Sequence, residues 1–374
     1  MLTMNDHTVI IRAAALTPWQ ARYTLAALFM SGRPTDAIAS WFTAAEDLGE
    51  YIGIRFGHIP EAAAAPDWEF LRHIDFDGIG GFAELLRRRG ALLPRLPQIK
   101  HPRSASWLDL VRALPKYASP RRRIQWATLG GERTPSTGPT PPLAVSWHVF
   151  DESVTTQIRL ACRHASVTVN SFLLKHLTKA IRPSIEDHSS EVPWMIPVNL
   201  RGKVNRGRDT ANHTSYVAIR VCSYETVHDI HERIYAALAT GEHWANWMAY
   251  HSGKLFSPGM RRWLIAKERC MSQWNLGSFS NLGDWDPDRR LAEFGCLGSW
   301  LFCPPVLRCQ PVGAGCVTFQ NRMSLTIQVH PELTVNSDIP WEWLHNWIKE
   351  IEIDLASWFG RTANYPDKTV KLPT

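Results

Sequence analysis

Apolar and polar residues change rhythm repeatedly along this chain, and each change predicts an element. EFLRHIDF (69–76) alternates at every second position, which puts Phe70, Arg72, Ile74 and Phe76 on one side of a strand and His73 with Asp75 on the other. WMIPVNL (194–200) and SYVAIRV (215–221) read as a buried and a half-buried strand, and PLAVSWHVF (142–150), SFSNLG (278–283) and GCLGSWLFC (295–303) as further ones. CVTFQ (316–320) and SLTIQVH (324–330) are strands that Asn321-Arg322-Met323 joins as a hairpin. Elsewhere the spacing turns helical. Asp151 opens a helix through about residue 164, and Thr168 caps the next, whose apolar positions are Val169, Phe172, Leu173, Leu177 and Ile181. TVHDIHERIYAAL (226–238) and Trp341 to Phe359 complete the helical set.

A fifth helix carries unusually complete end signals. Asp77 stands where an N-cap belongs, Ile79, Phe82, Leu85 and Leu86 form one apolar face, Arg87, Arg88 and Arg89 fill the last turn, and Gly90 stops it. Its start, Gly78, Gly80 and Gly81, brings bare backbone to a helix N-terminus, yet the spacing is neither a dinucleotide fingerprint nor a P-loop, and no Lys-Ser/Thr follows.

GGERTPSTGPTPP (130–142) interrupts the alternation of strands and helices with a stretch in which neither persists. It divides the chain into residues 1–129, a linker over 130–142, and residues 143–374. Both parts mix strands and helices, so the predicted class is α/β, of the two-layer α+β kind, in two lobes with a ligand site where they meet. A chain of 374 residues, 45% hydrophobic and 20% charged, is long enough to bury the core that two lobes require.

The net charge of +6 suits phosphates, carrier proteins or plain solubility, and does not single out nucleic acid. The basic run SPRRRIQW (119–126) reads the same way, as a solvated surface or an acidic partner's contact. No stretch reaches the roughly 18 apolar residues of a membrane span, and the N-terminus lacks a cationic start with a sustained apolar core, which predicts an intracellular, cytoplasmic protein. Seven cysteines make an obligatory disulfide framework a poor reading. Cys296, Cys303, Cys309 and Cys316 recur at six- or seven-residue intervals without the paired C-x-x-C or C-x-x-H unit of a closely held zinc, so buried thiols are the expectation. His228 and His231 share a helix face without an acidic ligand set, no cysteine lies in a sharp strand-to-helix turn, and the seventeen tryptophans read first as packing.

His73 is different. A histidine beside an acid, at a strand end before a glycine turn, sits where backbone approaches a ligand, and imidazole is the side chain suited to moving protons at neutral pH. HIDFDG, His73 to Gly78, matches the H-x-x-x-D-G motif, and the chain here resembles the chloramphenicol acetyltransferase-like superfamily, which includes nonribosomal peptide condensation domains, BAHD acyltransferases, polyketide-associated acyltransferases and wax-ester synthases. Further segments follow in the family's order: SVTVNSFLLKHLTKAI (166–181), WMIPVNLRGKVN (194–205), ANHTSYVAIRV (211–221), GSFSNLGDW (277–285) and the late SLTIQVHPEL. Together they cover roughly residues 66 to 360.

The resemblance implies two acetyltransferase-like lobes in a V with a tunnel between them, and transfer of an acyl group from a thioester to an amine or hydroxyl. The donor is acyl-CoA or a phosphopantetheinyl thioester, the partners are a small-molecule acceptor and an acyl- or peptidyl-carrier protein, and no metal or permanently bound cofactor is called for. His73 is implied as general base. Asp77, the other catalytic-motif residue, is implied to pair with Arg201 beside Asn199 and to hold the loop in shape. Gly78 leaves room for the pantetheine arm, and Ser280 and Asn281 line the tunnel or meet developing oxyanion charge. The chain departs from many relatives in carrying Arg72 where they carry a first histidine, and His73 comes early, so the N-terminal lobe is short. A binding protein without catalysis, or a cyclase that reuses the tunnel, are the alternative readings of the same fold.

Overall fold

Pairing between distant segments converts these local patterns into two sheets. The computed structural model describes residues 37–50, 52–61, 65–93, 95–99, 104–118, 124–127, 145–186, 191–271, 277–286, 297–331, 333–334, 336 and 338–362. The 130–142 linker, Cys296 and most of the basic run 119–126 lie outside them. In chain order the elements are α1 (Ala37–Glu46), β1 (Gly53–Ile59), β2 (Asp67–Arg72), α2 (Gly78–Arg88), α3 (Trp107–Ala118), β3 (Val145–Val149), α4 (Glu152–His164), α5 (Val169–Ile181), β4 (Val192–Asn199) and β5 (Thr214–Val221). They continue as α6 (Val227–Ala239), α7 (Glu242–Ser252), α8 (Pro258–Met271), β6 (Gly277–Trp285), β7 (Ser299–Cys303), β8 (Val312–Phe319), β9 (Arg322–Val329) and α9 (Asp338–Thr362). The protein is mixed α/β, as its sequence rhythm implies.

The larger sheet runs β3-β9-β8-β6-β4-β5, and the smaller runs β2-β1-β7. Within the larger, β4–β6 and β6–β8 are parallel and the other pairs antiparallel. In the smaller, Ile54 faces Leu71 on one neighbour and Phe56 faces Phe302 on the other. Sheet membership thus parts from chain order at β7, a segment from beyond the linker that completes the N-terminal sheet.

Caps are where the sequence spoke most locally. Asp77, Asp151 and Thr168 each accept a hydrogen bond from a backbone N–H of the first turn that follows, and Thr226 closes a reciprocal capping box with Asp229. Two expectations shift. The strand predicted over 69–76 ends at Arg72, because Asp75 N and Phe76 N both turn back onto the Arg72 carbonyl, at 3.1 and 3.2 Å. The hairpin turns on Gln320 and Asn321, with φ of 48° and 61°, and not across Asn321-Arg322-Met323: two consecutive left-handed residues give the twist that a two-residue connection needs.

Each face of the larger sheet buries its own core. Trp194 and Ile196 of β4, Val217 of β5 and Phe279 of β6 point to the side covered by α5 and α9, where they meet Leu177 and Trp347. On the other side, Leu282 and Phe319 meet Phe56, Phe82, Trp300 and Phe302 of the smaller sheet and α2. A third cluster joins Ile38 of α1 to Leu200, Trp244 and Trp247. Trp194, Trp244, Trp300, Trp343 and Trp347 are fully buried, so these five rings pack, each removing about 150–250 Å² from water, or roughly 4–6 kcal/mol before entropy is charged against it. The open edge of β5 is covered by α7: Asn246 Nδ2 donates to Tyr216 O and Ala218 N donates to Glu242 Oε1, both at 2.8 Å. Among the described residues no helix is long and apolar enough to cross a membrane.

Candidate active site

A cavity of about 420 Å³ opens on the face of β4, β5 and β6 that the first core leaves uncovered. Residues before the linker supply one wall, with Trp41 and Phe42 of α1, Ile52, Ile54, His73 and Gly78. Residues after it supply the rest, among them Met195, Pro197, Tyr216, Ser280, Leu282 and Phe302. Its lining is largely apolar with a few convergent polar groups, the character expected of a small-molecule site.

His73 is fixed on this cavity by three hydrogen bonds. Its N–H donates to Ile52 O at 3.1 Å, its carbonyl accepts from Asn212 Nδ2 at 2.8 Å, and its ring Nδ1 lies 2.8 Å from Phe76 O. A carbonyl can only accept, so Nδ1 carries the proton and Nε2 presents a lone pair, with no protein partner among the described residues. Phe42 packs edge-to-face on the ring at 5.3 Å. Burial lowers the imidazole's pKa from its ordinary value, against the opposing pull of the Phe76 carbonyl and the Asp77 charge, so the ring is neutral at neutral pH.

Asp77 belongs to the wall behind. Its Oδ1 accepts from Gly80 N and from Arg201 Nη2, and its Oδ2 accepts from His213 N, each at 2.7 Å. The carboxylate is 1% exposed and the arginine 3%. Arg201 is satisfied all round, with Nε on Asp209 O, Nη1 on Asn199 Oδ1 and Nη2 also on Ala211 O. Asn199 in turn donates to Pro97 O at 2.7 Å. Gly80 is required here, because a Cβ would stand 2.0 Å from Thr210 O and 2.7 Å from Arg201 Nη2. At Gly78 a Cβ would meet Leu282 Cδ2 at 2.6 Å and Phe302 Cζ at 2.9 Å, so glycine allows the helix start to approach β6 and β7.

The sequence-derived site residues therefore fall into two groups. His73, Gly78, Asn199, Ser280 and Asn281 border the cavity, while Asp77 and Arg201 lock the turn behind it. Asn281 spends its amide on structure, accepting from Gly283 N and donating to Asn170 Oδ1, both at 2.8 Å, where β6 changes register against β8. Sequence reading missed Asn212 and Phe42. Asn212, 3% exposed, also accepts from Thr214 N at 3.0 Å, so its amide is oriented before it reaches His73. It orients the turn that carries His73, and Asn212→Asp, which keeps the shape but sets a buried carboxylate oxygen against the His73 carbonyl, should lower stability to urea by about 1–3 kcal/mol and change the pH profile of any activity at His73. An unchanged stability and pH profile would remove that role.

Of the cysteines proposed for weighing as zinc ligands, Cys303 and Cys316 are buried and Cys309 is partly exposed on the cavity. Burial pushes the Cys303 thiol up to about 12. Among the described residues no group of three or more His, Cys, Asp or Glu side chains is placed to hold a metal ion.

No protein-family model matches the chain, and no curated protein matches it in sequence. Solved structures are similar in fold. The epimerization domain from the third module of tyrocidine synthetase B is similar with a TM-score of 0.49 and 11% identity, over 79% of this chain and 70% of that one. The condensation domain from Monacolin K polyketide synthase gives 0.48 and 13%, over 78% and 69%. Polyketide synthase associated protein 5 from Mycobacterium tuberculosis gives 0.48 and 11%, over 80% and 75%.

Proposed function

We propose that this protein is an acyltransferase of the condensation type, taking an acyl group from a thioester on coenzyme A or a carrier protein and passing it to an amine or hydroxyl, in the making of a specialised metabolite. The observation that supports it is the His73 ring: neutral, oriented through Nδ1, and with an unpartnered Nε2 on a largely apolar cavity. Nε2 takes the proton of the acceptor's N–H or O–H as that atom attacks the thioester carbonyl. The tetrahedral oxyanion then collapses, the C–S bond breaks, and the departing sulfur takes the proton back from Nε2, so that amide or ester and free thiol leave together. In this reading Ser280, on the cavity wall, donates toward the oxyanion, and Asn281 shapes that wall. Gly78 lets the start of α2 close against Leu282 and Phe302 at the edge of the cavity, which shapes the passage for the donor arm.

The test is incubation of the purified protein with acyl-CoA and acyl-carrier donors and a panel of amines and alcohols, read by product mass and thiol release. Transfer joins donor and acceptor with one thiol per product. A product that has lost a thiol without gaining an acceptor indicates cyclisation and overturns the transfer reading.

A further inference from the structure

Behind the Asp77–Arg201 pair lies a second cleft, of about 250 Å³, and its character is opposite to that of the first. The turn Arg201 to Asp209 wraps round it, with Gly202 and Gly207 at φ of +87° and +81° allowing the backbone to fold back. Arg95, Arg201, Arg206, Arg208, Asp209 and His213 line it. The one acid of the lining is already engaged, because Arg87 grips Asp209 through both oxygens at 2.9 and 2.7 Å. Arg201 is balanced by Asp77. The Arg208 guanidinium donates to the Asp75 carbonyl at 3.0 Å and lies over the Phe76 ring at 4.5 Å, contacts with uncharged groups that leave its charge uncancelled. Even with Arg206 set aside, two cationic heads therefore face a cleft whose acid is spoken for.

The floor of the cleft supplies the second observation. His213 is 5% exposed, its Nδ1 sits 2.8 Å from Ala211 O, and so its proton is on that nitrogen. Nε2 has no protein partner among the described residues, on a side chain that borders the cleft. Protonation at Nε2 would convert that lone pair into a donor on the lining of a basic cleft, which an anion can accept from.

We propose that this cleft is a binding site for a phosphate-bearing ligand, separate from the apolar cavity. Arg95 and Arg208 supply the charge, and His213, protonated at Nε2 on binding, donates a hydrogen bond from the lining. The inference does not rest on the acyltransferase reading. Burial keeps the free His213 imidazole below its ordinary pKa, with the Arg201 and Arg206 guanidiniums adding to burial and the Ala211 carbonyl and Asp77 carboxylate opposing it. A bound anion reverses that balance, so binding takes up a proton and strengthens as pH falls from about 8 to about 6.

Calorimetric titration of the full chain with inorganic pyrophosphate, and separately with coenzyme A, tests this. Pyrophosphate should bind saturably at one site, more tightly at the lower pH, and Arg95→Glu should weaken it about tenfold or more. Arg95 is an exposed residue, so this variant should fold. His73→Ala should bind as the wild type does, which keeps this result independent of the transfer chemistry. A parallel loss for coenzyme A assigns the cleft to the donor's phosphates, and a loss for pyrophosphate alone assigns it to a phosphorylated acceptor; both support the site. Absence of saturable binding, or an equal weakening in Arg88→Glu, which changes an arginine paired with Glu84 outside the cleft, overturns it.

Discussion

Replacing His73 by alanine should leave a folded protein whose kcat for acyl transfer is roughly 10²- to 10⁴-fold lower, the range that a positioned general base contributes. Folding should survive because two of the three anchors at this residue, to Ile52 O and from Asn212, are made by its backbone. What disappears is Nε2 and the edge contact with Phe42. The pH profile gives an independent check. A base works only when unprotonated, and burial holds His73 below its ordinary 6.5, so kcat/KM for the wild type should climb with pH on a limb below 6.5 and be flat above it. The same limb should be absent from the residual activity of His73→Ala. Full turnover by the variant, or a limb lying above 7 in the wild type, would take the proton transfer away from this residue.

How much of this was legible in the sequence depends on how far each interaction reaches. Helix caps are set within three residues, so Asp77, Asp151 and Thr168 could be read directly. The end of β2 could not, because Ile74 and Phe76 continue the apolar alternation past the point where Asp75 and Phe76 fold back onto Arg72. That fold-back is what lifts His73 out of the strand and into the turn that faces the cavity. Nor did β1 stand out: Gly53 and Gly57 dilute its strand propensity, and it is a strand because Leu71 and Phe302 lie on either side of it, from segments far apart in the chain. Asn212 is the extreme case. Nothing local in ANHTSY tells that its amide reaches a carbonyl 139 residues earlier.

The Asp77–Arg201 pair should dominate stability at the site. Asp77→Ala leaves a guanidinium 3% exposed with no counter-charge in hydrogen-bond range, and also strips the cap from Gly80 N and the acceptor from His213 N. Breaking a buried pair in this way costs about 3–5 kcal/mol, so urea unfolding should show a drop of that order, and Arg201→Ala a similar one. Asn offers only a partial rescue: its oxygen in the Oδ1 position keeps both the cap and the arginine, but its amide group then confronts the His213 N–H. The double variant should cost clearly less than the two single losses together, because each single change strands the partner that the other removes. Activity should fall in step with stability, since the turn carrying His73 runs straight into the cap at Asp77. This pattern separates the two motif residues physically. His73→Ala loses turnover and keeps its fold, whereas Asp77→Ala loses both; an Asp77→Ala protein as stable as the wild type but inactive would place the carboxylate in the proton path instead of behind it.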